Sequence, residues 1–270
     1  MIQKILVPVD FSESSLNALE TAIDIAARNK ATIQILHVSD AIIHADNTGN
    51  PNALENEKQI FDAMAGSILQ KHGVSSEILF MEGFVGPTIV KTAFLNKPDL
   101  IVMGAHGASG FRELFIGSNT YYVVKFSACP VLIIPEGDKW LGFQRMLYPA
   151  RTTYGALQRY EFVRNLVKGE SSSLEFLGLS VNRDTEEENA MRSMADKLKV
   201  RKSEQKIQFA VTFSNEKNVA KEVLDYADRT NADLIVISPA LDVVNKQFFV
   251  GPFSQRIINH AKVPVLHIHK

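Results

Sequence analysis

Cysteine is nearly absent. Cys129 is the only one in 270 residues, so no intrachain disulfide can close, which fits a reducing compartment. A surplus of either charge is lacking too. The 29 Lys and Arg and 30 Asp and Glu give a formal net charge of −1, and this removes any whole-chain electrostatic case for nucleic acid or an anionic membrane. No apolar run approaches the roughly 20 residues that span a bilayer. The N-terminus lacks the basic start, apolar core and small-residue cleavage site of a secretory leader and enters Ile5-Leu6-Val7 directly, ahead of Pro8 and Asp10. The expectation is a soluble, cytoplasmic protein. What is present is ordinary globular material, 46% hydrophobic and 22% charged residues, in a length that suggests two domains.

The chain repeats itself. Residues 99–104 read DLIVMG and residues 233–238 read DLIVIS, an offset of 134 that also carries Gly117 onto Gly251 and Pro130-Val131-Leu132 onto Pro264-Val265-Leu266. Nearer the start the offset is 141, placing Leu6 and Pro8 on Leu147 and Pro149, and Leu36 and Ser39 on Leu177 and Ser180. Two registers bracketing a loss of seven residues indicate a duplication with a shortened surface loop after the second strand. The stretch PEGDKWLGF at 135–143 has the Pro, Gly and charge of a linker. The expected domains are therefore 1–137 and 144–270.

Within the first half, apolar runs at 4–9, 32–38, 76–81, 99–103 and 130–134 are short enough for buried strands. Between them, Leu16, Leu19, Ile23 and Ala26 recur at helical spacing, residues 53–72 carry Leu54, Ile60, Met64, Ile68 and Leu69 on an amphipathic pattern, and further helices are expected over 86–96 and from 118. Strands alternating with helices predict an α/β fold: in each half a five-stranded parallel sheet with helices on both faces, Rossmann-like in plan. In such sheets ligands bind beyond the carboxyl ends of the strands, where strand order reverses.

The segment after the fourth strand concentrates chemistry there. Gly104-Ala105-His106-Gly107-Ala108-Ser109-Gly110 is followed by Gly117 and Ser118, where a helix is expected to begin. Glycine lets backbone N–H groups approach a phosphate without a Cβ in the way, and a helix start offers unpaired N–H donors and a positive dipole end. Ser118, Asn119 and Thr120 bring side-chain donors to that point. Asp10, at the end of the first strand, is either an acceptor for a base or sugar or a helix cap. The glycine loop itself is either a phosphate cradle or a tight turn. His106 and Arg112 read as exposed loop residues more readily than as phosphate contacts, Cys129 as a packing residue, and the His267 and His269 pair as no metal site.

Glycine, two residues, glycine, nine residues, glycine and then serine or threonine resembles the ATP-binding motif of the universal stress protein family, and Gly104, Gly107, Gly117 and Ser118 match it. The start Val7-Pro8-Val9-Asp10 and the ending Cys129-Pro130-Val131-Leu132 are similar to that family as well. The resemblance runs once through each half. It implies an adenine nucleotide alpha hydrolase-like fold, with Pro8, Val9 and Asp10 beside the adenosine and the Val38 backbone beside the base. It also implies that Met103, Gly104 and Gly107 open the phosphate loop and that Gly117, Ser118, Asn119 and Thr120 hold phosphates. The implied ligand is ATP, or ADP or AMP, with Mg²⁺ bound through the phosphates.

In the second half the same register puts Arg151 on Asp10, Ser238 on Gly104, Leu241 on Gly107 and Pro252 on Ser118. A leucine side chain stands where backbone should approach phosphate, and proline removes an N–H. No ATP site of the first kind is expected there; Arg151 is either a holder of some other anion or a solvated arginine. The resemblance implies an ATP-binding stress-response regulator with a nucleotide site in the first domain and slow or no hydrolysis, since no P-loop lysine or acidic metal pair lies near the loop. The alternatives are a low-turnover ATPase or phosphotransferase and a nucleotide-free interaction scaffold. It further implies an intramolecular pseudo-dimer through strands 130–134 and 264–268, a homodimer as a further option, and a regulatory protein partner.

Overall fold

The computed structural model describes residues 1–39, 53–107, 116–137, 139–150, 156–168, 171–179, 185–200, 207–214, 218–238 and 252–268. Two compact units meet in sequence between Leu141 and Gly142.

The first unit carries strands β1 (Lys4–Pro8), β2 (Thr32–Ser39), β3 (Ser76–Glu82), β4 (Leu100–Gly104) and β5 (Val131–Ile134). Helices α1 (Glu13–Asn29), α2 (Ala53–His72), α3 (Val85–Asn96) and α4 (Ser118–Phe126) connect them. All pairings are parallel, in the order β3-β2-β1-β4-β5. Ile5, Leu6 and Val7 are all fully buried. Neighbouring strand residues face opposite sides, so both faces of the sheet are covered. Strand order reverses between β1 and β4, which sets the ligand crevice at their carboxyl ends.

Helix α1 leaves β1 through a serine-rich turn. The Ser12 side chain caps it by accepting from the Ser15 N–H, Glu13 occupies the first turn, and Lys30 closes it in the left-handed region at φ 56°. Its buried face is wider than the expected stripe: Ala18, Ala22 and Ile25 join Leu19, Ile23 and Ala26, while Leu16 is half-buried. The helix lies against β1, β2, β4 and β5, and small alanines let it approach a broad area of sheet.

Helix α2 corrects the sequence reading. Among its described side chains the buried ones are Phe61 and Ile68, whereas Ile60 and Leu69 are more than half exposed. Phe61 is drawn inward by an aromatic cluster, with ring centroids 4.7 Å from Phe11, 5.2 Å from His37 and 5.3 Å from Phe80. Leu54 has no described side chain.

The second unit repeats the plan with strands β6 (Arg145–Ala150), β7 (Ser172–Leu179), β8 (Ile207–Ser214), β9 (Leu234–Ile237) and β10 (Val265–His267). Its helices are α5 (Ala156–Leu166), α6 (Thr185–Val200), α7 (Val219–Thr230) and α8 (Pro252–His260). The order is β8-β7-β6-β9-β10, again all parallel. The correspondence reaches single hydrogen bonds. Asp99 accepts from the Gln3 and Lys4 N–H groups at 2.7 and 3.0 Å, and Asp233 accepts from those of Gln144 and Arg145 at 2.8 and 2.9 Å. Lys97 and Asn231 end α3 and α7 alike, at φ 49° and 51°. Gln34 pairs with Glu77 whereas its counterpart Glu175 pairs with Ala210, so the shortening falls between the second and third strands. Among the described residues, no helix is long and apolar enough to cross a membrane.

Candidate functional site

The site at the β1–β4 crevice is built on close backbone packing. Gly104 ends β4 directly beneath the first turn of α1. A Cβ there would stand 2.0 Å from Ser14 Oγ and 2.9 Å from the Ser14 backbone carbon, so any side chain at 104 forces the first turn of α1 to shift. The chain then turns through Ala105, whose N–H donates to the Ile134 carbonyl at 2.8 Å. Gly117 donates back to the Ala105 carbonyl at 2.9 Å. A Cβ on Gly117 would meet that same oxygen at 3.3 Å and His106 Cα at 3.5 Å. Ala105 is therefore tied both to the end of β5 and to the residue that precedes α4.

Thr120 completes the stitching. Its buried hydroxyl donates to the Gly104 carbonyl at 2.9 Å, so what this residue offers to a ligand is its backbone N–H. Asn119 Oδ1 accepts from the Gly86 N–H at 3.1 Å, tying α4 to the first turn of α3. Ser118 is exposed at the helix start. Here the first-turn N–H groups have no intrahelical partner and the helix dipole is positive.

Asp10 stands opposite. Its Oδ1 accepts from the Ser12 N–H at 3.0 Å and the Ser12 hydroxyl at 2.5 Å, so the α1 cap is Ser12 and Asp10 braces the turn ahead of it. A Cβ on Gly107 would lie 3.0 Å from Asp10 Oδ2, which brings the carboxylate against the glycine loop. Pro8 is half-buried at the end of β1, Val9 is buried and donates to the Leu36 carbonyl at 2.9 Å, and Met103 is buried one residue before Gly104. Val38 is half-buried near the end of β2. His37 Nδ1 lies 2.9 Å from the Val9 carbonyl, locking the ends of β1 and β2 together. The structure thus gathers the residues named after β1, β2 and β4 along one sheet edge.

Phe11 was not singled out from the sequence. It follows Asp10 with φ 61°, a region that costs a bulky residue about 1 kcal/mol or more. Its ring, 37% exposed, lies over Phe61 and within 6.2 Å of His37. A strained aromatic beside the crevice gives it an apolar wall next to a carboxylate. His106 Nδ1 is 3.6 Å from Glu136 Oε1. Burial pushes the Cys129 thiol up, against hydrogen bonding from Ser127, so it stays protonated and packs as a small apolar group.

The donor set is backbone N–H, a helix start and one exposed hydroxyl. That set suits a polyanion, while the missing Cβ atoms at 104 and 117 let the chain pack closely against Ser14 and Ala105 behind it. Among the described residues no three His, Cys, Asp or Glu side chains gather to hold a metal ion. Ala108, Ser109, Gly110 and Arg112 lie outside the described residues, as do Arg151, Leu241, Gly251 and His269. In the second unit Ser238 is buried at the end of β9, where the first unit has Gly104. In register Ser14 falls on Gly155, which lies outside the described residues.

The chain is similar to known proteins along most of its length. A model described as the universal stress protein family matches residues 1–135 and 167–269. A universal stress protein of Bacillus subtilis is 30% identical over 149 residues, covering 50% of this chain and 99% of the relative. One from Methanocaldococcus jannaschii is 30% identical over 145 residues, covering 52% of this chain and 85% of its own. The crystal structure of a universal stress protein from Archaeoglobus fulgidus superposes with a TM-score of 0.75 at 22% identity, over 98% of both chains.

Proposed function

The chain belongs to the universal stress protein family, and from that premise we propose that its first unit binds an adenine nucleotide and that occupancy of the site, with slow or no hydrolysis, is what it signals in the stress response. The observation that carries this reading is the glycine loop after β4, held to the start of α4 by the Gly117–Ala105 and Thr120–Gly104 hydrogen bonds. Ends held in this way keep the first-turn N–H groups of α4 in place when a phosphate arrives.

Pro8, Val9, Asp10 and the Val38 backbone would take the adenosine end, and Met103, Gly104 and Gly107 the beginning of the phosphate chain. The N–H groups of Ser118, Asn119 and Thr120, with the Ser118 hydroxyl, would take its far end. ATP is the proposed ligand, with ADP and AMP filling the adenosine end of the same site. Mg²⁺ would be carried by the phosphates and would offset their charge beside Asp10. No lysine stands in the motif and no carboxylate pair faces the loop among the described residues, so there is little to activate water or stabilise a leaving phosphate. The protein would work in the cytoplasm, through a partner that reads the nucleotide-bound surface.

The test is equilibrium binding of Mg²⁺-ATP to the full chain and to Gly107→Val, followed by phosphate release from the bound state. Gly107 is exposed and its nearest neighbour is the end of a carboxylate side chain, so the substitution fills the cradle without touching the core. Affinity should fall at least ten-fold, with turnover near background in both proteins. Equal affinity in Gly107→Val would refute the assignment of the loop.

A further inference from the structure

The two units build the same helix and finish its outer side differently. α3 of the first and α7 of the second are both 12 residues long. Both bury the same stripe: Gly86, Ile89 and Ala93 in one, Ala220, Val223 and Ala227 in the other. On the opposite side the offset of 134 sets Phe84 on Asn218, Pro87 on Lys221, Lys91 on Asp225, Phe94 on Asp228 and Leu95 on Arg229. On the neighbouring helix it sets Tyr122 on Arg256 and Phe126 on His260. The second unit makes this face a solvated surface that pairs its own charges: Lys221 with Asp225, Arg229 with Glu222 and Lys262 with Asp228. The first unit leaves it apolar. Phe84, Phe94, Leu95 and Phe126 are 68%, 72%, 64% and 45% exposed.

Phe84 works against its own helix. It stands at the N-cap of α3 and makes no side-chain cap, whereas Asn218 caps α7 by accepting from the Lys221 N–H at 3.3 Å. Apolar residues are poor N-caps, and the duplicate accepts the better choice on the same fold. The exposed positions 84, 87, 91, 94 and 95 follow helical spacing, so they form one stripe, about 15 Å long from Phe84 to Phe94. α4 lies alongside and widens it. Asn119 accepts from the Gly86 N–H at 3.1 Å, and a Cβ on Gly86 would meet Tyr122 Cβ at 3.0 Å. The Tyr122 and Phe126 ring centroids are 4.5 Å apart. Scattered exposed apolar residues are ordinary, but a group of them on one face marks a contact surface.

Charge selects what covers it. Exposed Glu82 stands just before the stripe and exposed Lys97 just after it, and neither they nor Lys91 form an ion pair among the described residues. A stripe with an acid at one end and a base at the other complements itself across a two-fold axis. Two antiparallel α3 helices then set Phe84 against Phe94, bring Glu82 toward Lys97, lay Lys91 over Pro87 rather than over its own copy, and oppose the helix dipoles. We propose that this α3–α4 face is the contact through which two copies of the chain form a two-fold dimer. It uses helices rather than the last strands β5 and β10, and it stands independently of the nucleotide reading. With four large apolar side chains at its centre it belongs to the small, weak class of interfaces, so monomer and dimer exchange in the micromolar range.

The experiment is sedimentation velocity on the full chain over a range of concentrations. The average mass should rise from monomer toward dimer as concentration increases. Phe94→Asp, which copies Asp228 of the second unit, should weaken association at least ten-fold while the urea midpoint of the first unit stays at the wild-type value. At low salt Glu82→Lys should weaken it several-fold, and adding Lys97→Glu should restore it. A chain that remains monomeric throughout overturns the proposal, and cosedimentation of that monomer with phosphatidylserine vesicles would assign the face to an anionic lipid surface instead. Association that Phe94→Asp leaves unchanged overturns it too, since another surface would then join the copies. A loss in Glu82→Lys that Lys97→Glu fails to restore would refute the antiparallel arrangement.

Discussion

Gly104→Ala tests the packing on which the crevice is built. The added methyl would lie 2.0 Å from Ser14 Oγ and 2.9 Å from both the Ser14 Cβ and its backbone carbon. Rotating the hydroxyl away removes the first of these clashes only. Ser14 is 3% exposed in the first turn of α1, and α1 is packed along β1 and β4, so relief requires that turn to rise off the sheet. Overpacking of this kind costs about 1–3 kcal/mol, and the backbone contact places this site at about 2–3 kcal/mol. Ser14→Gly removes Oγ and Cβ together. It also removes a buried hydroxyl that has no partner among the described residues, which offsets part of the helix-propensity cost, leaving about 0.5 kcal/mol alone. The double variant should then lose only about 1–1.5 kcal/mol, a coupling of about 1.5–2 kcal/mol. The second unit carries that arrangement in sequence, Ser238 opposite Gly155. Trp140 is the only tryptophan and belongs to the first unit, so its fluorescence in urea follows that unit. With a slope near about 2 kcal/mol per molar, Gly104→Ala should lower the midpoint by about 1–1.5 M. A midpoint within about 0.2 M of wild type, or no recovery on adding Ser14→Gly, would refute the reasoning.

Two further outcomes follow from the same structure. Thr120→Val leaves the buried Gly104 carbonyl without its hydroxyl donor; a loss of about 1–3 kcal/mol in urea is expected, together with weaker nucleotide binding as the loop loosens. Burial raises the Asp233 carboxyl above its ordinary value, opposed by the Gln144 and Arg145 N–H groups. A carboxyl raised in the folded state favours folding most when protonated. Its contribution is therefore full below the unfolded value near about 3.9 and is lost as pH rises through the higher folded value. Asp233→Asn should flatten that acid-side slope in unfolding curves of the second unit, and an unchanged slope would assign the effect to other groups.

The strands were legible because a buried parallel strand is a short unbroken apolar run, and the repeat made each run count twice. The glycine spacing was legible because close backbone approach leaves a residue-type signature at fixed positions. Side-chain direction was not. Ile60 and Leu69 fit a helical stripe as well as Phe61 does, and only the ring cluster with Phe11, His37 and Phe80 decides that Phe61 turns inward. Thr120 looked like a ligand donor because its hydroxyl lies in the right stretch, but its partner is a carbonyl 16 residues earlier. Arg159 of α5 and Tyr148 of β6 meet through a 3.2 Å hydrogen bond, and each of them alone reads as an ordinary substitution. The left-handed backbone of Phe11 has no residue-type signal, because glycine and asparagine are the usual markers of that conformation.

The most direct test of the account is the stoichiometry of Mg²⁺-ATP binding to the full chain, measured by calorimetry after removal of any nucleotide carried through purification. One site per chain is predicted, lost in Gly107→Val while the first unit still unfolds at the wild-type urea midpoint. Two sites would show that the second unit binds nucleotide without the glycine loop, and no binding by the wild type would contradict the nucleotide reading altogether.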